Sequence, residues 1–223
     1  MKPQIIARFM VDVGMTVLLM ILMAFELIGR AAHEWIGLGM FVLFLTHHYL
    51  NRKWSANIFR GKYGPYRVLQ TVCSIMVCAT MIGSMFSAVL ISREVFAFLP
   101  TSGGRSLGRM LHMLCAYWGF ILMSYHLGLH WSTMMGLAGR FDKTKFKCRR
   151  WPLRVAGCII AVYGAVALIR RSIPRYLFLQ SQFVYFDFEE PLVLFFLDYL
   201  AIMGLFIFMG HYTAKAARRL SRS

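Results

Sequence analysis

Two stretches decide how this chain is read: HEWIGLGMFVLFLTHHYLNRKW, from His33 to Trp54, and HMLCAYWGFILMSYHLGLHW, from His112 to Trp131. Each opens on a histidine and reaches another fourteen positions later, His33 to His47 and His112 to His126. Fourteen steps of an α-helix turn about 1400°, roughly 40° short of four full turns, and rise about 21 Å. Both histidines of each stretch therefore face one way, near opposite ends of a membrane-length helix.

Composition sets the frame for those stretches. The chain has 223 residues, 59% of them hydrophobic and 15% charged. Its apolar residues come in runs of about twenty, the length that crosses a bilayer. The expected fold is an all-α integral membrane bundle with six spans, at 9–28, 33–50, 68–91, 108–131, 153–169 and 192–211. The first run is too long for a signal peptide and no small-residue cleavage site follows it. Asp12 and Glu26 are placed inside that first span, and Gly29 to Ala32 is read as the turn after it.

The net charge of +16 belongs to the segments between apolar runs. That excludes a nucleic-acid reading and points to orientation in the bilayer and contact with anionic headgroups. With the N-terminus inside, Lys2, Arg8, the cluster at 52–67, the cluster at 140–154 and the tail at 215–222 all fall on the cytoplasmic side. Arg30, Arg93, Arg105, Arg109, Arg170, Arg171 and Arg175 remain outside, with no lysine. The positive-inside rule then places both termini in the cytoplasm, with Trp54 and Trp131 at the inner interface.

With that topology the second and fourth spans run in the same direction. His33 is then level with His112 near the outer face, and His47 with His126 near the inner face. Imidazole is a standard axial ligand of haem iron, and ionisable groups inside spans are costly and usually functional. The four histidines are read as two bis-histidine sites for two non-covalent b-type haems. Covalent haem is excluded because Cys73, Cys78, Cys115, Cys148 and Cys158 form no C-x-x-C pair. Four of those thiols lie in apolar runs as small core residues.

His48 lies about 60° from the His33 direction, and His130 returns to the His112 face about 27 Å along. Both are given interfacial, ligand-supporting or quinone-proximal roles. His211, at the end of the last span, is read as interfacial. Arg30, Arg105 and Arg109 near the outer pair, and Arg52 and Lys53 near the inner pair, are either propionate partners or interfacial anchors. Gly37, Gly39, Ala116 and Gly119 either make room for a flat porphyrin or pack helices. Asp12, Glu26 and Asp198 either relay protons and bind a quinone head or pair with a cation on a neighbouring helix. Asp187, Glu189 and Glu190, set among Phe183, Tyr185, Phe186 and Phe188, form either a docking patch or a segment lying on the membrane.

HEWIG with its second histidine fourteen residues on, HLGLHW, and FDFEEPLVLFFLDYLAIMGLFIFMGHY resemble the flavinylation-associated cytochrome family. That family is related in architecture to the di-haem membrane cytochromes b of formate dehydrogenases and hydrogenases. The resemblance implies a four-helix di-haem core over residues 1–135, with a basic connector and two further spans over 136–223. It implies a prokaryotic cytoplasmic membrane and electron transfer to a separate extracytoplasmic protein carrying covalent flavin (FMN). It would have His33, His47, His112 and His126 hold the haems. No catalytic residue is assigned, and an electron-transfer subunit is expected rather than a stand-alone enzyme, with a quinone as a second candidate partner. The alternatives are a haem-free transporter whose histidines, Asp12 and Glu26 line a proton path, and a membrane anchor for a partner enzyme.

Overall fold

The computed structural model describes residues 3–58, 60–99, 103–141, 150–181 and 183–220. Among these every regular element is a helix: α1 (Pro3–Leu22), α2 (Phe25–Leu50), α3 (Arg52–Ala56), α4 (Pro65–Ile91), α5 (Arg105–Phe141), α6 (Arg150–Arg170), α7 (Ile173–Leu177) and α8 (Leu192–Leu220). Helices α1, α2, α4, α6 and α8 are long and apolar enough to cross a membrane. The chain is thus a multi-pass, all-helical membrane protein by length and composition. The expected fourth span falls on α5, which has 37 residues but is less apolar. Its three histidines and its tyrosines, serines and glycines lower it; the other five expected spans fall on helices long and apolar enough to cross.

Several boundaries differ from expectation. The chain turns at Met23 and Ala24, closed by the Ala24 amide donating to the Ile21 carbonyl at 3.0 Å. Glu26 therefore sits in the first turn of α2, not inside the first span. Gly29, where the expected turn begins, does break the helix: α2 is two helical pieces joined across a kink there, at φ 74° and ψ 170°. Only glycine adopts that backbone without strain. Pro65 opens α4, where its missing N–H costs nothing. Helix α8 continues past His211 into the basic tail. The basic connector at 142–149, with Lys143, Lys145, Lys147, Cys148 and Arg149, lies outside the described residues, as do Lys2, Pro100 and Arg222.

The chain divides into two compact units. The first contains α1 to α3 with the segment Ala79–Ala116, the end of α4 and the start of α5. Here α1 packs on α2 through small residues. A Cβ on Gly14 would stand 3.2 Å from Leu43, and Gly37 and Gly39 face Leu22 and Leu18 at 4.0 and 3.9 Å. Both glycines thus serve the α1–α2 contact, the helix-packing role of small residues in membranes. The Arg8 guanidinium closes the far end by donating to the Leu50 carbonyl at 2.7 Å.

Glu34 organises the loop after α4 in the same unit. Its carboxylate accepts from Ser92 Oγ at 2.6 Å and from the amides of Arg93, Glu94 and Val95 at 3.0 Å each. One α2 side chain thereby caps the loop leaving α4. Glu34→Ala strips four donors of their acceptor, and hydrogen bonds to a charged group are the strong ones. Trypsin should then cut after Arg93 at least about tenfold faster in the folded protein, since local opening controls cleavage. Unchanged cleavage would show that the loop is held otherwise.

The second unit contains Tyr63–Cys78, the segment from Tyr117 to Ser181, and α8. Helix α6 lies on α8 through Gly164 and the buried Ala161 and Ala167. A Cβ on Gly164 would strike the Ala201 carbonyl, so the two backbones are in contact. Ile159, Val162, Val166 and Ile169 recur at helical spacing on the exposed face of α6. An apolar face left exposed on a membrane-length helix is a lipid-facing face.

Candidate functional site

The first unit brings His33 of α2 and His112 of α5 together, with ring centroids 5.9 Å apart and planes at 73°. A metal stands about 2 Å from an imidazole nitrogen, so two rings ligating one ion from opposite sides have centroids about 6 Å apart. The two rings are therefore at a spacing that one ion can bridge.

The hydrogen bonds around His112 assign its tautomer. Its Nδ1 lies 3.2 Å from the Ser84 carbonyl and 3.2 Å from Ser87 Oγ. The Ser87 hydroxyl donates to the Gly83 carbonyl at 2.7 Å, so its lone pairs face the ring. Nδ1 thus carries the proton and Nε2 keeps its lone pair. An imidazole whose far nitrogen donates to a carbonyl is oriented as a metal ligand is. Close packing fixes this end of α4 against α5: a Cβ on Gly83 would stand 2.6 Å from Cys115 Sγ, and one on Gly108 2.8 Å from Ile91. His33 is packed edge-on against Phe25, at 5.1 Å between centroids. Its buried Nδ1 has no hydrogen-bond partner, and a buried polar atom in that state carries a cost that needs an explanation. A ligand between the rings would supply one.

His47 has its own support. Its Nδ1 lies 2.8 Å from Asp12 Oδ1 of α1, a carboxylate–imidazole pair. The Asn51 amide donates to the His47 carbonyl at 2.9 Å and ends α2 there. Asp12, expected either to relay protons and bind a quinone head or to pair with a basic residue on a neighbouring helix, is in the structure a partner of a histidine on α2. The pairing was hidden in sequence because the two residues are 35 apart on different helices.

His126 belongs to the second unit, where its ring lies 4.8 Å from that of His130. The Gln70 amide lies 3.2 Å from His130 Nε2 and donates to it. His48 packs edge-on against Phe44 at 4.5 Å. Arg30 and Arg109 are exposed. Each stands three residues before a histidine, one helical turn away on the same face. Arg52 is occupied locally, donating to the Tyr49 carbonyl at 3.2 Å and lying over the Tyr49 ring.

The second unit also resolves Asp198. It is fully buried and accepts from Tyr163 Oη at 2.7 Å and from Arg171 Nε at 2.8 Å, with Arg170 on the same oxygen as Tyr163. Arg171 also grips Glu190 with two bonds of 2.6 Å. Pairing with neighbouring cations is the outcome for Asp198, and Glu190 is committed inside the protein. Ser84, Ser87 and Glu34 are the site residues that sequence reasoning did not single out. Glu34 follows His33 directly, which was the available signal. Among the described residues no three His, Cys, Asp or Glu side chains gather as a metal cluster, whereas a bis-imidazole haem needs only two. Compared with protein-family models, curated proteins and solved structures, the chain matches none of them.

Proposed function

We propose that the chain is a membrane b-type cytochrome that holds two haems through four histidines and passes electrons across the bilayer. The observation that carries this reading is the His33–His112 pair, with rings at 5.9 Å and the His112 Nδ1 engaged by Ser84 and Ser87. His33 and His112 would hold one haem. Sequence spacing alone assigns the other to His47 and His126; at His47, Asp12 engages Nδ1 and the Asn51 amide approaches Nε2 at 3.5 Å. Bound haem supplies reversible one-electron chemistry; the chain holds, orients and insulates it.

Around the outer pair, Ser84 and Ser87 fix the His112 ring and Glu34 fixes the turn beside His33. Arg30 and Arg109, one turn from each imidazole, are placed to meet carboxylate groups. In this reading the membrane is prokaryotic and cytoplasmic, with both termini inside. The acceptor is an extracytoplasmic flavin-carrying protein, and the donor is a quinol or a cytoplasmic reductase. The resemblance to flavinylation-associated cytochromes and the distribution of basic residues support these assignments.

A reduced-minus-oxidised spectrum of the purified protein, with extraction and quantification of haem, tests the proposal. Two non-covalent haems per chain are expected; a protein without b-type absorption bands would sink it. Asp12→Asn gives a finer test. Removing the carboxylate makes His47 a poorer electron donor, which disfavours the oxidised metal. One of two midpoint potentials should rise by on the order of 60 mV, a tenfold change in a one-electron equilibrium. If neither moves, Asp12 does not act through a ligand. The Asp12–His47 bond inside a span also suits a second reading, a haem-free proton path. That reading expects proton uptake by proteoliposomes from a colourless protein.

A further inference from the structure

A cavity of about 430 Å³ opens in the second unit, between the later part of α5 and the end of α8. Leu129, Ser132, His211, Ala214, Lys215 and Arg218 line it. The lining holds two permanent cations, an imidazole and a hydroxyl, and no acid. None of the four histidines assigned above lines it, and Leu129 and Ala214 reach its wall from the buried core they share with Cys73.

The pocket's position follows from the helix. Helix α8 starts at Leu192, so at 1.5 Å per residue His211 lies about 28 Å along it and Arg218 about 39 Å. A bilayer's hydrocarbon core is about 30 Å thick, with polar headgroups beyond it. Lys215 thus falls at headgroup level when the apolar start of α8 spans the core. The two helices meet just before the pocket. A Cβ on Gly128 would stand 3.0 Å from the Gly210 Cα, and one on Gly210 would strike the Tyr125 carbonyl. This backbone contact sets the pocket walls firmly. Tyr125 and Thr213 join across the same crossing with a 2.7 Å hydrogen bond.

The cations are positioned rather than loose. The Arg218 guanidinium lies over the Tyr66 ring at 4.2 Å, and Lys215 Nζ is 5.8 Å from the Tyr212 ring. A stacked guanidinium keeps its planar fork of donors in one orientation, the geometry that matches phosphate oxygens. Leu129 and Ala214 add apolar wall beside the polar groups.

We infer that this pocket binds a phosphate ester, and specifically the phosphate of an anionic phospholipid seated at the membrane surface. Arg218 and Lys215 carry its charge, Ser132 donates to a free oxygen, and Leu129 and Ala214 meet its glycerol end. A lipid is favoured over free phosphate because the pocket sits where a span ends and has both apolar and cationic walls. The inference stands without the haem reading.

Binding of short-chain phosphatidylglycerol to the full-length protein in detergent tests it, with phosphatidylcholine of equal chain length and inorganic phosphate as parallel probes. Phosphatidylglycerol should bind at least about tenfold more tightly than either. Lys215→Ala should weaken it by about fivefold, and the Lys215→Ala/Arg218→Ala pair by about thirtyfold. Arg219→Ala removes an equal charge from the same helix without touching the pocket, and should change binding less than twofold. Equal losses for Arg219→Ala and Lys215→Ala would reduce the effect to general surface charge and overturn the site. Inorganic phosphate binding as tightly as the lipid would overturn the lipid as its ligand. Should the double variant fail to fold, Lys215→Ala and Ser132→Ala, each compared with Arg219→Ala, decide the matter alone.

Discussion

His112→Ala should halve the haem content of the purified protein, from two per chain to one, with a matching fall in b-type absorbance. His112 holds its ring by two contacts of 3.2 Å to Ser84 and Ser87, and faces His33 at 5.9 Å. Alanine removes the nitrogen and leaves His33 with no second imidazole at bridging distance. One axial bond does not hold a non-covalent haem against washing as two do, and loss of an axial ligand is the most direct lever on such a site. His33→Ala should act on the same haem, so the double variant retains the same single haem as either one. Ser87→Ala leaves the carbonyl contact in place and should keep both haems while shifting a potential. Full haem content in His112→Ala would remove His112 from the ligand set. Loss of both haems together with normal folding would mean that the two sites are not independent.

The second large effect concerns stability. Asp198→Ala should lower the apparent melting temperature in detergent by roughly 10 °C. Asp198 is fully buried and accepts from Tyr163, Arg170 and Arg171. Its removal takes one of two acidic partners from the partly buried Arg171, leaving Glu190 and the Phe195 ring beside it. Breaking a buried ion pair from one side costs about 3 kcal/mol, because the remaining charge keeps its desolvation penalty. For a chain of this size that corresponds to about 6–12 °C. Asp198→Asn retains acceptor capacity on one oxygen and should fall between wild type and alanine. The measurement is a thermal unfolding curve of each variant at one detergent concentration. A shift below about 2 °C would show that the network contributes little. Haem content should stay unchanged, since the bonds lost are those to Tyr163, Arg170 and Arg171, and none of the four histidines is among them.

Much of the architecture is legible without coordinates. Runs of about twenty apolar residues cannot remain in water and cannot leave backbone groups unpaired in lipid, so they become helices. That logic locates α4 and α6 within three residues at each end, whereas α1 lies six residues earlier than expected, α2 begins eight earlier and α8 runs nine further. It succeeds because the bilayer imposes one period and one length on every span. It is weakest at Glu26 and Gly29. There the hydropathy signal runs on through a tight turn and a glycine kink, and only the backbone path separates one helix from the next. It is weak also at α5, where the polar groups that attract functional interest make the helix less apolar.

The candidate site divides the same way. Spacing along one helix is a local property, so the common face of His33 and His47, and of His112 and His126, follows from 3.6 residues per turn alone. Which side chain on another helix meets each imidazole is not local. Asp12 beside His47, Ser84 and Ser87 beside His112, and Arg171 between Asp198 and Glu190 are pairings of residues far apart in sequence. Nothing in hydropathy or periodicity selects them, because many rotations of one helix against another bury the same apolar area. Small residues settle those rotations. Gly14, Gly83, Gly128, Gly164 and Gly210 admit close approach at one register and reject a Cβ there. The histidine faces were therefore written in the order of the residues, whereas their partners, and with them the orientation of each ring, were set by how the helices pack.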